Sequence, residues 1–411
     1  MIFVVCLLVV LAAAFAHQAW LHERHLARIP TRIHVNGSRG KSSVTRLIAG
    51  GLRAGGARTI AKTTGTKPRF IYDDGTEVPV VRAGSPNIIE QVRIVRRAAQ
   101  LGARVLVVEC MAVKPELQSL LEDRIIRSTH SVITNVRADH LDEMGPKIGD
   151  VARNLGRTIP VDGLFFTAER EHLDALYEIA QARGAGTNVA LAQSVDERML
   201  GRFSYFEHAE NVSLALAVCA ALGVDQDVAL DGMVRSTPDP GAMRIYRVHD
   251  EGGEIIFING FAVNDPDSYV LSWERLATRL PARCRVVGLA VCRDDRILRS
   301  QQLGALLATR LPVDVCVVAG KETGPFVREF RRANRSDRTF RNMEGATPAE
   351  IYAAIVEYTT PTPLVVFGIG NIVGLGEEIV EQFRSRSAEE PEARTSAHGA
   401  AGSQPGEQRL V

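Results

Sequence analysis

The chain has 411 residues, enough for two or three domains with separate cores. Apolar content of 45% and charged content of 24% exclude a disordered or fibrous polymer and describe an ordinary globular protein. The formal net charge of +1 gives no bulk attraction for nucleic acid, so an anionic substrate has to be met by local groups.

Residues Ile2 to Ala16 form an unbroken apolar run, and the low-charge stretch reaches Trp20. That is near the lower limit of about 17 residues for a transmembrane helix. The small-x-small pattern Ala14-Phe15-Ala16 makes a cleaved signal peptide the rival reading. No positive charge precedes the run, whereas Arg24, Arg28 and Arg32 follow it. That asymmetry predicts an uncleaved anchor over 1–20 with the body of the protein in the cytoplasm.

Beyond the anchor, short β-rich runs alternate with helix-length segments. RIHV (32–35) leads into a glycine-spaced loop, RVLVV (104–108) ends on Glu109, SVIT (131–134) ends on Asn135, and GLFFTA follows at 163–168. This alternation predicts β-α-β units and a parallel sheet, with ligand groups at the carboxyl ends of its strands. A helix over 211–222 closes the region. STPDPGAMR (236–244) reads as a linker. EIIFIN (254–259), RVVGLAV (285–291), VDVCVVAG (313–320) and PLVVFGIG (363–370) predict a second, smaller doubly wound domain. From about Ser385 large apolar residues become scarce, which predicts a disordered tail. The expected fold class is thus α/β: one transmembrane helix (1–20), a P-loop-type ATP-binding domain with a parallel sheet (21–237), a smaller Rossmann-like domain (238–384) and the tail (385–411).

The chemistry begins at Asn36-Gly37-Ser38-Arg39-Gly40-Lys41-Ser42-Ser43. Val35 stands where the first glycine of a full P-loop would be, so this is the shorter G-x-x-G-K-S form. Gly37 and Gly40 let backbone amides approach phosphate oxygens, and the following helix adds partial positive charge. Lys41 can reach β/γ-phosphates, and a serine hydroxyl can ligate Mg²⁺. Glu109, directly after four apolar residues, is a carboxylate at the mouth of a buried strand, where Mg²⁺ would balance it. TNVRADHLDEMGP (134–146) sets His140 between Asp139 and Asp142 just past a strand, which suggests metal or phosphate contact.

Six cysteines, none in a C-x-x-C pair and most in apolar runs, read as buried free thiols of a reducing compartment. Gly368-Ile369-Gly370 reads as a tight strand-to-helix turn, and the arginines of 93–97 as a solvated helix face.

The loop, Glu109 and the DH pair in this order resemble the Mur ligase superfamily of ATP-dependent amide-bond ligases, which includes folylpolyglutamate synthase. KTTGT (62–66), ECMAV (109–113), DHLDEMGP (139–146), PDPGAMRI (238–245), NGFAVNDPDS (259–268), CRDDR (292–296) and GIGNIVG (368–374) sharpen the resemblance. Over roughly residues 1 to 385 they resemble the ligase subunits of capsular poly-γ-glutamate synthases. The resemblance implies that Lys41 holds the ATP phosphates, that Ser42 and Glu109 share one Mg²⁺, and that His140 binds a second. It implies adenine contact by Asn211 and phosphate contact by Arg244. Asn259, Asn264, Asp294 and Arg296 would lie in loops that close over nucleotide and amine substrate.

The implied cofactors are ATP and Mg²⁺, and the implied substrates are glutamate and a poly-γ-glutamate chain. Small membrane-protein subunits are the implied partners, a homo-oligomer is compatible, and nucleic acid has no part. Two departures stand out. Many Mur enzymes carry a carbamylated lysine downstream of the DH pair, where this chain reads Arg153-Asn154-Leu155-Gly156-Arg157. The Ala-His-Asn-Pro run of Mur and folyl enzymes is replaced by Ala262-Val263-Asn264-Asp265-Pro266, which favours the polyglutamate branch. A P-loop ATPase energising an exporter, or a nucleotide-dependent scaffold, would share the loop but would not need glutamate.

Overall fold

A computed structural model describes residues 2–65, 68–82, 84, 86–203, 205–239, 243–250, 252–261, 263, 266–277, 280–334 and 338–387. These fall into two compact units, one of residues 2–203 and Glu207–Asp239, the other of residues 205–206 and 243–387.

The chain begins with helix α1 (Ile2–Arg28), continuous through the proposed cleavage site. At 27 residues it is roughly 40 Å long, more than the hydrocarbon core of a bilayer requires. Its apolar side chains are exposed up to Trp20, and it is long and apolar enough to cross a membrane. Only its base engages the body. Leu26 and the following Ile29 pack with Ile94, Val95 and Ile125, and His22 Nε2 lies 2.8 Å from the Ile125 carbonyl.

The first unit is built on an eight-stranded sheet. Its strands are β1 (Thr31–Asn36), β2 (Thr59–Lys62), β3 (Arg69–Ile71), β4 (Glu77–Pro79), β5 (Val105–Glu109), β6 (His130–Ile133), β7 (Leu164–Thr167) and β8 (Gly186–Val189). The order is β4-β3-β2-β5-β1-β6-β7-β8. Six strands are parallel, as the alternation predicts, and β3 and β4 extend the edge antiparallel. Those two were not legible because three residues each are too few to show a period.

Strand β1 is central, and Ile33 to Asn36 are fully buried, so it carries polar His34 and Asn36 into the core. Helix α2 (Lys41–Ala54) returns over the sheet and buries Val44, Leu47, Ile48 and Leu52, one helical stripe. Helix α3 (Ile89–Gln100) buries Ile94, Val95 and Ala98 and leaves Arg93 and Arg96 exposed. Helix α4 (Ala209–Ala221) is buried along most of its length, which accounts for its nearly continuous apolar sequence.

The second unit has a six-stranded sheet of β9 (Arg244–Asp250), β10 (Gly253–Asn259), β11 (Arg285–Cys292), β12 (Val315–Gly320), β13 (Thr339–Glu344) and β14 (Leu364–Gly370). The order is β13-β12-β11-β14-β10-β9, parallel except for β9. Alternation along β10 sends Ile256 and Ile258 to a layer with Trp273, Leu307 and Phe326. Ile255 and Phe257 go to the other layer, where Phe257 stacks on Phe383 with ring centroids 4.1 Å apart.

Two linear expectations shift. Arg244 is not in a linker; it opens β9 and is the register partner of Asn259. The predicted tail starts late, since Ser387 bridges Val248; residues 388–411 lie outside the described ones. The cysteines are free, and Cys110, Cys219, Cys292 and Cys316 are buried as expected, whereas Cys6 is exposed on α1.

Candidate active site

Parallel register places the carboxyl ends of β1, β5 and β6 side by side. Val35 pairs with Glu109, and Asn36 with Ile133. The phosphate loop, Glu109 and the segment after β6 therefore emerge together at one edge of the sheet.

The loop needs its glycines. Gly37 has φ +130°, and a Cβ there would run into Thr134 Oγ1. Gly40 has φ +78°, and a Cβ there would stand 2.8 Å from Asn211 Oδ1. The segment after β6 braces the loop from below. Ser38 N donates to Asn135 O at 3.0 Å, and Arg39 N to Asn135 Oδ1 at 3.1 Å. Thr134 Oγ1 and Asn135 Nδ2 donate to Arg39 O at 2.5 and 3.1 Å. Ser38 Oγ accepts from Arg137 N at 2.9 Å. Thr134 and Asn135 were not anticipated as loop supports; their adjacency to the loop arises only from strand pairing.

Lys41 Nζ curls back to Gly37 O at 2.6 Å, so its charge lies on the loop itself. Ser42 Oγ donates to Glu109 Oε2 at 2.8 Å. The same oxygen accepts from Thr64 N at 2.6 Å, which sets the KTTGT loop against the site. Ser43 follows half-buried on the first turn of α2. Asn36 does not face the loop; its Nδ2 is spent on Gln118 Oε1 (2.8 Å) and Thr158 Oγ1 (3.2 Å) in the core.

Behind Glu109, Lys62 is fully buried and pairs with Glu90 at 2.5 Å, which also holds Arg82 Nε at 2.6 Å. Burial lowers the Lys62 pKa, with Glu90 and Glu109 opposing that shift.

Ser42 and Glu109 form a hard-oxygen pair of the kind Mg²⁺ takes alongside phosphate oxygens and water. His140 is placed differently. It sits at φ +46° at the head of a one-turn helix, exposed, with Nε2 3.9 Å from Asp139 Oδ1. Arg39 Nη2 reaches the same carboxylate oxygen at 3.5 Å. Among the described residues no three His, Cys, Asp or Glu side chains converge as a metal cage. A cavity of about 460 Å³ opens at His140, lined also by Asn87, Met111, Lys114, Asp142 and Glu143 among others.

On the other side of the loop, Asn211 of α4 lies against Gly40 and donates to Glu207 Oε1 at 2.8 Å. Burial pushes the Glu207 carboxyl up to about 7, against its bonds from Asn211 and His208 and with help from Asp239.

In the second unit, Asn259 ends β10, and its Oδ1 accepts from Phe261 N at 3.3 Å. Asp294 and Arg296 are exposed in the turn after β11. Arg299, which the sequence reading passed over, donates to Val263 O (2.6 Å) and Gly370 O (2.8 Å) and ties together the loops after β10 and β14. Asn264 lies outside the described residues.

The fold is that of the Mur ligases and folylpolyglutamate synthases. Escherichia coli FolC in complex with ADP superposes with a TM-score of 0.60 at 17% identity, over 90% of this chain and 94% of that one. The Yersinia pestis bifunctional folylpolyglutamate synthase/dihydrofolate synthase complexed with AMPPNP and Mn ion gives 0.61 at 16% identity, over 89% and 92%. Residues 35–187 match the Mur ligase middle domain, and 245–386 match the poly-gamma-glutamate synthase CapB C-terminal domain. The capsule biosynthesis protein CapB of Bacillus anthracis is 37% identical over 375 residues, 91% of this chain and 80% of that protein. PGA synthase CapB of Bacillus subtilis (strain 168) is 33% identical over 364 residues, 88% and 92%. The chain belongs to the poly-gamma-glutamate synthase CapB family and is a Mur-type ATP-dependent ligase.

Proposed function

We propose that this ligase lengthens a poly-γ-glutamate chain. The γ-phosphoryl group of ATP passes to the terminal carboxylate of the chain, giving an acyl phosphate and ADP. The neutral amine of an incoming glutamate then attacks the acyl carbon, the C–N bond forms, phosphate leaves with the acyl C–O electron pair, and the surplus amine proton passes to the departing phosphate. Mg²⁺, when bound, would neutralise charge developing on the transferred phosphoryl group.

The observation that carries this reading is the convergence of Lys41, Ser42 and Glu109 on a glycine loop. Gly37 and Gly40 let the loop pack against Thr134 and Asn211, which fixes the backbone that would meet phosphate. Lys41 exchanges its carbonyl contact for β/γ-phosphate oxygens, a geometry that positions the phosphoryl group for transfer. Ser42 and Glu109 would hold the cation. Ser38 and Arg39 serve through the loop backbone, and Asn211 meets the adenine. The 460 Å³ cavity would take the acceptor chain end, with apolar wall for methylenes and Lys114, which now pairs with Glu143 at 3.8 Å, exchanging that partner for a substrate carboxylate. His140, on its rim, would contact the reacting phosphate or a second cation. Arg244 would contact the nucleotide phosphates, and Asn259, Asn264, Asp294 and Arg296 would serve the nucleotide and the amine substrate.

Helix α1 would hold the body at the cytoplasmic face, where ATP is, beside small membrane subunits that handle the polymer. The test is ADP release by the membrane complex with Mg²⁺, with and without glutamate. Strong stimulation by glutamate with a γ-linked product is expected; turnover indifferent to glutamate and without product would indicate an export or scaffold ATPase.

A further inference from the structure

Glu207 is a buried carboxylate outside the phosphate and cation machinery. Its Oε1 accepts from His208 N at 2.9 Å and from Asn211 Nδ2 at 2.8 Å. The first bond, made to the adjacent backbone, fixes the carboxylate. The second reaches a side chain that packs on the phosphate loop. A Cβ at Gly40 would lie 2.8 Å from Asn211 Oδ1 and 3.3 Å from Nδ2.

The two ends of a carboxamide are nearly equal in size, so hydrogen bonds, not sterics, decide which way it points. An ionised carboxylate can only accept, and it draws the amino end of Asn211 to itself. The carbonyl end is thereby turned to the loop as an acceptor.

We infer that Glu207 is a specificity-determining positioning residue, which by holding Asn211 Nδ2 presents Asn211 Oδ1 to the nucleotide base and selects a 6-amino purine over a 6-oxo purine. The inference rests on the reading that ATP occupies this loop with its adenine at Asn211. A 6-amino group donates to Oδ1. A 6-oxo group sets acceptor against acceptor in a largely buried place, and both are left unsatisfied. Asn211 is the residue that meets the base, and Glu207 acts only through it.

The test is calorimetric binding of ATP and of ITP, with Mg²⁺, to the full chain in detergent. Working at about pH 8 keeps the Glu207 carboxylate, which titrates at about 7, ionised. ITP carries an oxo group where ATP carries the amine. The wild type is expected to prefer ATP by about tenfold or more. Glu207→Gln keeps the length and a carbonyl acceptor, and its preference should stay within about threefold of wild type. Glu207→Asp keeps the charge but withdraws it by a methylene from Asn211, and its preference should fall to about twofold. Thermal unfolding without nucleotide confirms that each variant is folded. A preference unchanged in Glu207→Asp or lost in folded Glu207→Gln overturns the inference and leaves ATP binding intact. If Glu207→Asp does not fold, Glu207→Leu, close in size but unable to accept from Asn211, takes its place: its preference should fall to about twofold, and an unchanged preference overturns the inference. A wild type that binds no ATP overturns the inference together with the reading beneath it.

Discussion

Ser42 Oγ donates to Glu109 Oε2 across 2.8 Å, joining the first turn of α2 to the end of β5. Thr64 N donates to the same oxygen. A cation arriving with phosphate would replace the serine proton as the partner of that carboxylate. Glu109→Gln keeps the size and loses the charge. Its Mg²⁺-dependent ADP formation should fall by about 10²–10³, while the folded protein still binds nucleotide without Mg²⁺. Turnover close to wild type at saturating Mg²⁺ would exclude Glu109 as a ligand.

Lys41 makes its hydrogen bonds to its own loop, at Gly37 O and Ser38 O. Lys41→Ala should therefore change stability by no more than about 1 kcal/mol. Turnover should nevertheless drop by about 10²–10³, the scale for losing a charge contact made in the transition state. Parallel melting curves and ADP assays separate the two effects. A large loss of stability with intact specific activity would reverse the assignment.

Gly37→Ala acts differently. Its Cβ would meet Thr134 Oγ1 and stand 2.9 Å from Thr134 N, at φ +130°. The tightest clash is with the Thr134 side chain, but the backbone N is also under 3.0 Å away, so a rotamer change of Thr134 cannot relieve both. A destabilisation of about 2 kcal/mol or more is expected, read as a lower midpoint in urea. Gly56→Ala is the control, since no atom lies within 4 Å of its Cβ position; at φ +82° it carries backbone strain alone and should cost less.

His34 and Glu122 form a buried pair at 2.7 Å beneath the site. Burial alone would lower the His34 pKa, but Cys110 and Glu122 beside it push it up to about 10. An unperturbed histidine titrates near 6.5, so the folded value is the higher one. The pair's contribution to stability is thus complete below about pH 6.5 and is lost as pH rises toward about 10. His34→Gln should cost about 3 kcal/mol at pH 6, and the gap in midpoint from wild type should shrink steadily toward pH 10. A gap that widens with pH would contradict a charged His34.

The anchor can be removed only as far as its contacts allow. His22, Leu26 and Ile29 engage the body, whereas residues up to Trp20 are exposed. Deleting residues 2–20 should give a protein that needs no detergent and binds ATP as before, yet makes no polymer in cells. Retention of ATP binding is checked by calorimetry; a protein that still requires detergent would show that other apolar surface meets the membrane.

The sequence by itself determined those features whose chemistry is contiguous. The loop could be read because Gly37, Gly40, Lys41 and Ser42 act within a few residues of one another, and their backbone and side-chain requirements are local. Glu109 could be read as a carboxylate at the mouth of a buried strand; alone it fits a cap or an ion pair equally well, and only the phosphate loop pointed to a cation. The parallel sheets and the membrane-length helix followed from hydrophobic period and run length. Only the tertiary structure decided which distant residues meet. Ser42 finds Glu109 sixty-seven positions away because β1 and β5 pair in one register. Thr134 and Asn135 become the floor of the loop because β6 lies beside β1. Asn36, inside the motif, turns to Gln118 in the core, whereas Glu207, outside every motif, reaches the loop through Asn211. A sequence records which groups a residue can offer, and chain folding across many tens of residues fixes which partner takes them.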